Sequence, residues 1–274
     1  MPIVPAITSR QHTVVRMFRT VIRGDATRAV LDGWHLLREA VVSGLDLEVV
    51  AVGGKIADHG DRALVDELAE RRDVRVVSVS APVMNAISPV RAPTGVVAIV
   101  KRRGAHLEQL LAPEPALVIV AIDIQDPGNA GAIVRAAEAG GATGVVFAGD
   151  SADAWSWKAL RAAMGSTFRV PLWRDRDPLA VCQKLRSHDV ALVATVARGG
   201  VTMGAADLRR PTALLVGAEG SGLAREVLAA ADSRLTIPMP PQVESLNVAV
   251  ACGVLVYEAR RQRVNEGSRR KFST

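Results

Sequence analysis

The sequence predicts an α/β fold built on a parallel or mostly parallel sheet. Short β-branched runs alternate with helix-length segments through most of the 274 residues, which is typical of a sheet covered by helices on both faces. Aromatic residues make up only 3% of the chain, although 49% of it is hydrophobic. The core must therefore be built from Val, Ala, Leu and Ile, as in buried parallel sheets. The length is sufficient for two ordinary domains.

The first part of the chain, residues 1–105, is predicted to form a small α/β domain of its own. Three β-branched runs indicate strands at residues 47–52, 74–79 and 96–100. Ahead of them, the segment 25–44 carries apolar residues at helical spacing, so we expect one amphipathic helix there. Its apolar positions are Val30, Leu31, Trp34, Leu37, Val41 and Val42.

A second domain is predicted at residues 116–264, after a proline-containing linker at residues 106–115. Its strands are expected at residues 116–122, 143–148, 190–196, 212–217 and 234–239. Ligands of such sheets bind beyond the carboxyl ends of the strands. The residues that directly follow these strands are therefore the candidates for a functional site. Residues 265–274 are predicted to be a basic, flexible tail.

The net charge of +6 is unevenly distributed along the chain. Residues 1–112 carry +3, residues 113–257 carry −1, and the last seventeen residues carry +4. This placement favours a polyanion bound by the first domain and the tail. A solubilising surface with a basic tail explains the charge equally well.

Several classes of protein are disfavoured by what the sequence lacks. Cys182 and Cys252 are isolated, which indicates a reducing compartment. The N-terminus is interrupted by prolines and arginines, and no apolar run reaches membrane-spanning length, so we expect a cytoplasmic protein without a secretory signal. No metal-ligand spacing is found among the five histidines, at positions 12, 35, 59, 106 and 188. The sequence therefore predicts no metal.

The first predicted strand of the second domain is followed by DIQDPGNAGAIVRAAEAGGA. Asn129 is expected to be the N-cap of a helix from about residue 130 to 139. Arg135 and Glu138 are the only charged residues of this helix. They form either an ion pair at the solvent edge, which contributes little, or Arg135 points into a site. The sequence alone leaves both interpretations open.

Two further stretches follow later strands. GAEGSGL, at residues 217–223, allows close approach of the backbone to a ligand, but it lacks the lysine of a phosphate-binding loop. Glu219 within it suits a cationic ligand or a hydroxyl better than a phosphate. In IPMPPQVESLNV, Ser245 is a plausible N-cap for a helix that begins near Leu246. Capping explains Ser245 but leaves Asn247 unexplained.

Together these three stretches resemble the signature motifs of the SpoU, or TrmH-type, branch of the SPOUT methyltransferases. Asn129, Gly131 and Arg135 match the first motif, residues 217–223 the second and residues 237–248 the third. The resemblance is strong over residues 115–262. Residues 23–100 resemble, more loosely, the family's substrate-binding domain, a small α/β module akin to RNA-binding ribosomal proteins.

The sequence departs from the family pattern at two places. Ala218 stands where many members have Asn, and Pro240-Pro241 replaces a more usual pair of a small residue and Gly. Both departures concern details of the cofactor loop. They leave the polar residues of the three motifs intact.

The resemblance implies a C-terminal domain whose parallel sheet ends in a deep trefoil knot, with S-adenosyl-L-methionine (AdoMet) bound there as the methyl donor. The implied cofactor-binding residues are Thr195, Gly217, Glu219, Gly220, Ile237, Met239 and Leu246. The implied catalytic residues are Arg135, Asn129, Glu219, Ser245 and Asn247. A homodimer formed through the knotted domain is also implied.

The implied reaction is methyl transfer to a ribose 2′-hydroxyl of RNA, and the two-domain organisation favours ribosomal RNA over transfer RNA. The first domain and the tail would contact phosphates, and single-stranded loops are the expected target. By analogy with the family, Arg135 would contact the reacting hydroxyl or its phosphate, and it would have the role of the base. Since a guanidinium with a pKa above about 12 is costly to deprotonate, orienting a phosphate and stabilising negative charge is the physically easier role.

Parts of the sequence are also compatible with two other classes of function. A Rossmann-type nucleotide enzyme is suggested by DPGNAG after a strand and by Asp150 at the end of the next strand, but the G-x-G-x-x-G pattern is absent. A non-catalytic RNA-binding assembly factor would retain the fold without the chemistry. The complete set of polar motif residues argues against it.

Overall fold

The computed structural model describes the backbone of residues 6–271 and the side chains of residues 6–264. The chain divides into two compact units. One contains the residues up to Arg103 together with Trp155–Phe168, and the other contains Gly104–Ala154 and the residues from Arg169 onward. The structure thus assigns Trp155–Phe168 to the first unit, whereas the sequence placed this segment within the second domain.

The secondary-structure elements are numbered in chain order. Those up to residue 101 are α1 (Thr13–Arg23), β1 (Arg28–Asp32), α2 (Trp34–Val42), β2 (Leu47–Gly53), α3 (His59–Glu70), β3 (Arg75–Val79), α4 (Ala81–Ile87) and β4 (Val96–Lys101). Those that follow are α5 (Leu107–Leu111), β5 (Leu117–Ile122), α6 (Pro127–Gly140), β6 (Gly144–Ala148), α7 (Trp157–Ala163), β7 (Leu172–Asp175), α8 (Pro178–Arg186), β8 (Ala191–Thr195), β9 (Val201–Thr202), β10 (Thr212–Val216), α9 (Arg225–Ala230), β11 (Ser233–Thr236) and α10 (Val248–Lys271).

The first unit is built on a four-stranded mixed sheet in the order β1-β4-β2-β3. β4 pairs antiparallel with β1 and β2, whereas β2 and β3 are parallel. One apolar cluster on this sheet includes Phe18 of α1, and another includes Leu37 of α2 together with Leu160 and Phe168 of the inserted segment. The sheet is therefore covered on both faces, and α7 contributes to one of the layers.

The helix predicted over residues 25–44 is wrong in its first half. Residues Arg28–Asp32 form β1, in which Ala29, Val30 and Leu31 are all buried. Gly33, with a φ of 104°, ends the strand, and α2 begins at the next residue. A short apolar run fits helical and strand periodicities equally well, which is why the sequence pattern merged the two elements.

The second unit contains a seven-stranded sheet in the order β7-β6-β5-β10-β8-β11-β9. All of its strand pairs are parallel. Every residue of the interior strand β5 is buried, because apolar clusters lie on both faces of the sheet. One cluster includes α6 and α10, and the other includes α5, α8 and α9. This arrangement confirms the predicted α/β class with a parallel sheet.

The strand order brings three loops to the same edge of this sheet. β8 lies between β10 and β11, and the three strands run parallel. The residues after Thr195, Val216 and Thr236 therefore leave the sheet side by side. These are three of the strand ends at which a ligand is expected.

Two predicted helix caps are wrong. The α6 N-cap is Asp126, whose Oδ1 accepts a hydrogen bond from the Asn129 backbone N–H at 2.9 Å. Its position directly before Pro127 suits a helix start, because proline at N1 lacks an N–H group that would need a partner. At α10, Asn247 Oδ1 accepts hydrogen bonds from the N–H groups of Ala249 (3.0 Å) and Val250 (3.3 Å). The Asn129 and Ser245 side chains are thus not used as caps.

The predicted linker and tail both contain helix. α5 lies within residues 106–115, and its Leu107 and Leu110 are buried in the second unit. α10 continues to Lys271, so residues 265–271 of the predicted tail are helical, while residues 272–274 lie outside the described residues. Within residues 6–271, every helix is too short or too polar to cross a membrane.

Candidate active site

A cavity of about 290 Å³ lies at the sheet edge where β8, β10 and β11 end. Its walls come from the loops after these three strands and from the start of α10. The residues predicted to bind a cofactor all line it: Thr195, Gly217, Glu219, Gly220, Ile237, Met239 and Leu246. Glu244 and Ser245 line it as well. Residues that are far apart in sequence are thus brought around one open cavity.

The loop after β10 is folded back on itself. The Gly222 N–H donates a hydrogen bond to the Ala218 carbonyl at 3.0 Å, and Gly220 and Gly222 have positive φ values of 88° and 67°. A Cβ atom on Gly217 would lie 2.4 Å from the Gly222 carbonyl carbon. Glycine at position 217 is therefore required by this close backbone approach, which keeps the loop backbone at the cavity wall.

The loop after β8 is tied to the segment that follows β11. The Arg198 guanidinium donates hydrogen bonds to the carbonyls of Pro241 (2.8 Å) and Val243 (3.2 Å). The Gly200 N–H donates to Thr236 Oγ1 at 2.9 Å. Arg198 is not predicted from the sequence, because its partners are backbone carbonyls that no side-chain pattern reveals. Its contacts position the segment that leads to Ser245.

The side-chain amide of Asn247 joins all three predicted motif stretches. Its Nδ2 donates hydrogen bonds to Asn129 Oδ1 (2.9 Å) and to Glu219 Oε1 (2.7 Å). Its oxygen is occupied at the α10 N-terminus by the Ala249 and Val250 N–H groups. The cap fixes which end of the amide faces Glu219, so the donor side is held toward the carboxylate.

Arg135 is not joined to this group. It lies at an exposed position of α6, and within residues 6–264 no hydrogen bond or ion pair engages it. Glu138, the proposed partner in an ion pair, instead receives hydrogen bonds from Arg169. Arg135 and Glu138 therefore do not form the ion pair that was one of the two interpretations of this helix. The guanidinium remains available to a ligand.

The two cysteines are placed where they cannot take part in the chemistry. Cys252 lies fully buried in the core on α10, and this burial raises the pKa of its thiol to about 12. Cys182 on α8 is also buried, which raises its thiol pKa. Within the described part of the chain, no three His, Cys, Asp or Glu side chains are grouped so that they could hold a metal ion.

The cavity has the chemical character of a site for a cationic nucleoside. Glu219 and Glu244 offer two carboxylates, which suit positively charged groups and repel phosphates. Leu235, Ile237 and Leu246 provide apolar surface for a planar base. The residues present therefore fit a sulfonium-bearing nucleoside such as AdoMet better than a dinucleotide with a pyrophosphate.

Comparison with solved structures identifies the class to which this fold and site belong. The chain is similar to the SpoU methyltransferase AviRb from Streptomyces viridochromogenes, whose crystal structure contains AdoMet. The TM-score is 0.84 at 27% sequence identity, over 93% of this chain and 99% of that one.

Sequence comparisons narrow the class to one family. The model of the SpoU rRNA Methylase family matches residues 116–257, and the chain belongs to this family. It is 34% identical over 273 residues to an uncharacterized tRNA/rRNA methyltransferase of Synechocystis, with 95% of each chain covered. It is 35% identical to the 23S rRNA (guanosine-2′-O-)-methyltransferase RlmB of Bordetella pertussis, over 87% of this chain and 99% of that one. The family predicted from the three motifs is confirmed, and a Rossmann-type nucleotide enzyme is excluded.

Proposed function

We propose that the protein transfers a methyl group from AdoMet to a ribose 2′-hydroxyl of ribosomal RNA. The observation that carries this proposal is the hydrogen-bonded group of Asn129, Asn247 and Glu219, in which the three motif stretches meet at the cavity. Membership of the SpoU rRNA methylase family supports the reaction class. The relative in Bordetella pertussis, named as a 23S rRNA guanosine-2′-O-methyltransferase, supports the choice of ribosomal RNA.

We assign the methyl donor to the cavity of about 290 Å³. AdoMet supplies an electrophilic methyl group on a sulfonium centre when it is bound. The Glu219 and Glu244 carboxylates would face its cationic groups, and the backbone at Gly217 and Gly220 would provide polar contacts. Thr195 would act mainly through its backbone, because its Oγ1 already donates to the Leu215 carbonyl at 2.9 Å.

We assign the acceptor side of the reaction to Arg135, Asn129, Ser245 and Asn247. Ser245 lines the cavity, is exposed and has no capping role, so its hydroxyl can contact the ribose. Arg135 would orient a phosphate and stabilise the negative charge that develops on the 2′-oxygen. Asn129 and Asn247 would fix the position of the ribose relative to the Glu219 carboxylate.

A second copy of this chain is the proposed partner of α10. Val250, Tyr257 and Val264 are each more than half exposed and recur at seven-residue spacing, which places them on one side of the helix. The opposite side is already packed on α6, where Val256 lies against Gly140. An exposed apolar stripe that continues a packed helix pair is typical of an interface. The proposed dimer would cover it.

The predicted knot and the role of the first unit are part of the same proposal. The knot is proposed because the three motifs resemble those of a family with a knotted domain; in the sheet, β10 lies between β5 and β8, and α10 packs on α6. An experimental structure in which residues 237–247 pass through no loop of the chain would contradict the knot. We further propose that the first unit, which loosely resembles the family's RNA substrate-binding domain, binds RNA, and that the enzyme acts in the cytoplasm.

The proposal is tested with tritiated AdoMet and purified 23S rRNA, 16S rRNA and total tRNA, each from cells that lack this gene. We expect label in one ribosomal RNA at a 2′-O-methylated nucleotide. Label confined to tRNA would favour the alternative of a tRNA methyltransferase. No transfer to any RNA, with AdoMet binding intact, would indicate a non-catalytic RNA-binding factor.

A further inference from the structure

The first unit contains a larger cavity, of about 590 Å³, which the proposed methyl-transfer chemistry does not use. It is lined by Asp32, Trp34, His35, Arg91, Arg161 and Met164, among others. All of its lining residues belong to the first unit, because α7 and the residue after it are part of that unit. A cavity of this size is large enough to hold a nucleotide.

The charged groups of the cavity are suited to phosphate. Arg91 and Arg161 are exposed, and within the described side chains neither takes part in a hydrogen bond or an ion pair. The N-terminus of α2 also lies here, where Gly33 provides no side chain to cap the first-turn N–H groups. The Arg161 charge acts on the Asp32 carboxylate of the same cavity, but two exposed guanidiniums and a helix N-terminus together still form a favourable environment for an anion.

The apolar groups are suited to a base. Trp34 borders the cavity with its Nε1 donating to the Thr94 carbonyl at 3.1 Å, which holds the indole in place. Met164 is 41% exposed and has a φ of 51°, an unusual backbone conformation for a non-glycine residue. An ordered indole and an exposed thioether in one cavity provide surface on which a base can stack.

A single carboxylate gives the cavity a means of discrimination between bases. Asp32 is half-buried, and its Oδ2 accepts a hydrogen bond from Ser88 Oγ at 2.6 Å. The other oxygen accepts no hydrogen bond within residues 6–264. Guanine presents adjacent N1–H and N2–H donors, a pattern that a carboxylate can accept, whereas uracil presents a single N–H between two carbonyls.

We propose that this cavity binds a guanine nucleotide of the substrate RNA, apart from the nucleotide that is methylated. Arg91 and Arg161 bind the flanking phosphates, Trp34 and Met164 contact the base, and Asp32 accepts hydrogen bonds from its Watson–Crick edge. The inference depends on the proposed RNA substrate. It adds a determinant of which RNA is selected.

The phosphate contacts are tested with the full-length protein and a fluorescein-labelled single-stranded RNA of mixed sequence that contains guanines. Anisotropy titrations between about 50 and 200 mM KCl give the salt dependence of binding. For an Arg91→Ala, Arg161→Ala double variant, we expect the negative slope of log K against log salt to become shallower by about 1.4. Each single-strand phosphate contact contributes about 0.7 to the magnitude of this slope. Arg72→Ala is the control, because Arg72 is exposed and lies outside the cavity lining.

The base contact is tested by competition with GMP and UMP against the labelled RNA. We expect GMP to compete at least tenfold better than UMP, and Asp32→Asn to remove this preference. Equal competition by both nucleotides, or a double variant with the salt slope of Arg72→Ala, would overturn the proposal. Tritium transfer to rRNA by the unmodified protein, together with AdoMet binding by every variant, distinguishes this result from a failure of the proposed methyltransferase function.

Discussion

Asn247 Nδ2 donates a hydrogen bond to Glu219 Oε1 at 2.7 Å, while Asn247 Oδ1 caps α10. One amide thus fixes a helix N-terminus and a carboxylate of the cavity at the same time. The two roles can be separated by mutation, because an aspartate at position 247 can still accept hydrogen bonds from the helix but cannot donate one to Glu219.

For Asn247→Asp we expect methyl transfer to fall at least tenfold while the cap of α10 is retained. The new carboxylate would lose the donor and lie beside that of Glu219, which disturbs the site. Asn247→Ala should lose the cap as well, which lowers the free energy of unfolding by about 1 kcal/mol. Tritium transfer and urea denaturation measure the two effects. Wild-type activity in Asn247→Asp would show that the bond to Glu219 has no role in the reaction.

Arg135→Ala should reduce methyl transfer by about a hundredfold or more, the typical effect of removing one group that stabilises negative charge in a transition state. AdoMet affinity, measured by calorimetry, should be unchanged, because Arg135 does not line the cavity. The matched control is Arg225→Ala, which removes another exposed guanidinium outside the cavity. If Arg135→Ala abolishes AdoMet binding, the assignment of Arg135 to the acceptor side is wrong.

Gly217→Ala should weaken AdoMet binding at least tenfold. The added methyl group would lie 2.4 Å from the Gly222 carbonyl carbon, so the loop must open and its backbone must leave the cavity wall. Gly104→Ala provides the control, since a Cβ there meets no atom within 4 Å. Calorimetry with AdoMet compares the two variants. Equal affinity in both would mean that the packing of Gly217 on Gly222 does not shape the donor site.

The strands that lead into the candidate site could be predicted from the sequence for a physical reason, whereas β1 in the first unit and β7 and β9 in the second were missed. Buried parallel strands such as β5 and β10 are uninterrupted apolar runs bounded by turns, and the motif residues follow them directly. β1 was missed because its short apolar run joins a helix through one glycine. The association of Trp155–Phe168 with the first unit depends on contacts between residues far apart in sequence, which periodicity cannot reveal.

The residues of the candidate site could also be predicted only in part from the sequence. Motif spacing identified Asn129, Glu219 and Asn247, which the structure joins by hydrogen bonds. Caps were assigned to the wrong residues, because several polar side chains in a row can each cap a helix and only the backbone geometry selects one. Arg198 was missed because it bonds to main-chain carbonyls.

Tyr257→Glu should convert the proposed dimer into a monomer. Tyr257 is 54% exposed on the apolar side of α10, and a carboxylate there would have to be buried unpaired in the interface. Leu179→Glu is the control, because Leu179 is an exposed apolar residue on α8. Sedimentation velocity measures the mass of each. A wild-type monomer, or a Tyr257→Glu dimer, would contradict an interface on this side of α10.

The buried thiol of Cys252 should make the protein less stable at alkaline pH. Burial raises its pKa in the folded state to about 12, whereas an exposed cysteine in the unfolded chain has a pKa of about 8.5. Because the folded state disfavours the thiolate, the contribution of Cys252 to stability is fully present below the unfolded pKa. This contribution is lost as the pH rises from the unfolded pKa of about 8.5 to the folded pKa of about 12. The free energy of unfolding falls by up to about 1.4 kcal/mol per pH unit over this range.

Urea denaturation across this alkaline range should therefore show a flatter pH dependence for Cys252→Ala than for the wild type, even though the variant is less stable near neutrality because it leaves a small gap in the core. Cys182→Ala is the matched control: burial also raises the Cys182 pKa, but the nearby Arg186 charge opposes this effect. The flattening should be smaller there. An unchanged pH dependence in Cys252→Ala would mean that the thiol gains access to water in the folded state, and that the contact between α10 and the core is looser than the structure describes.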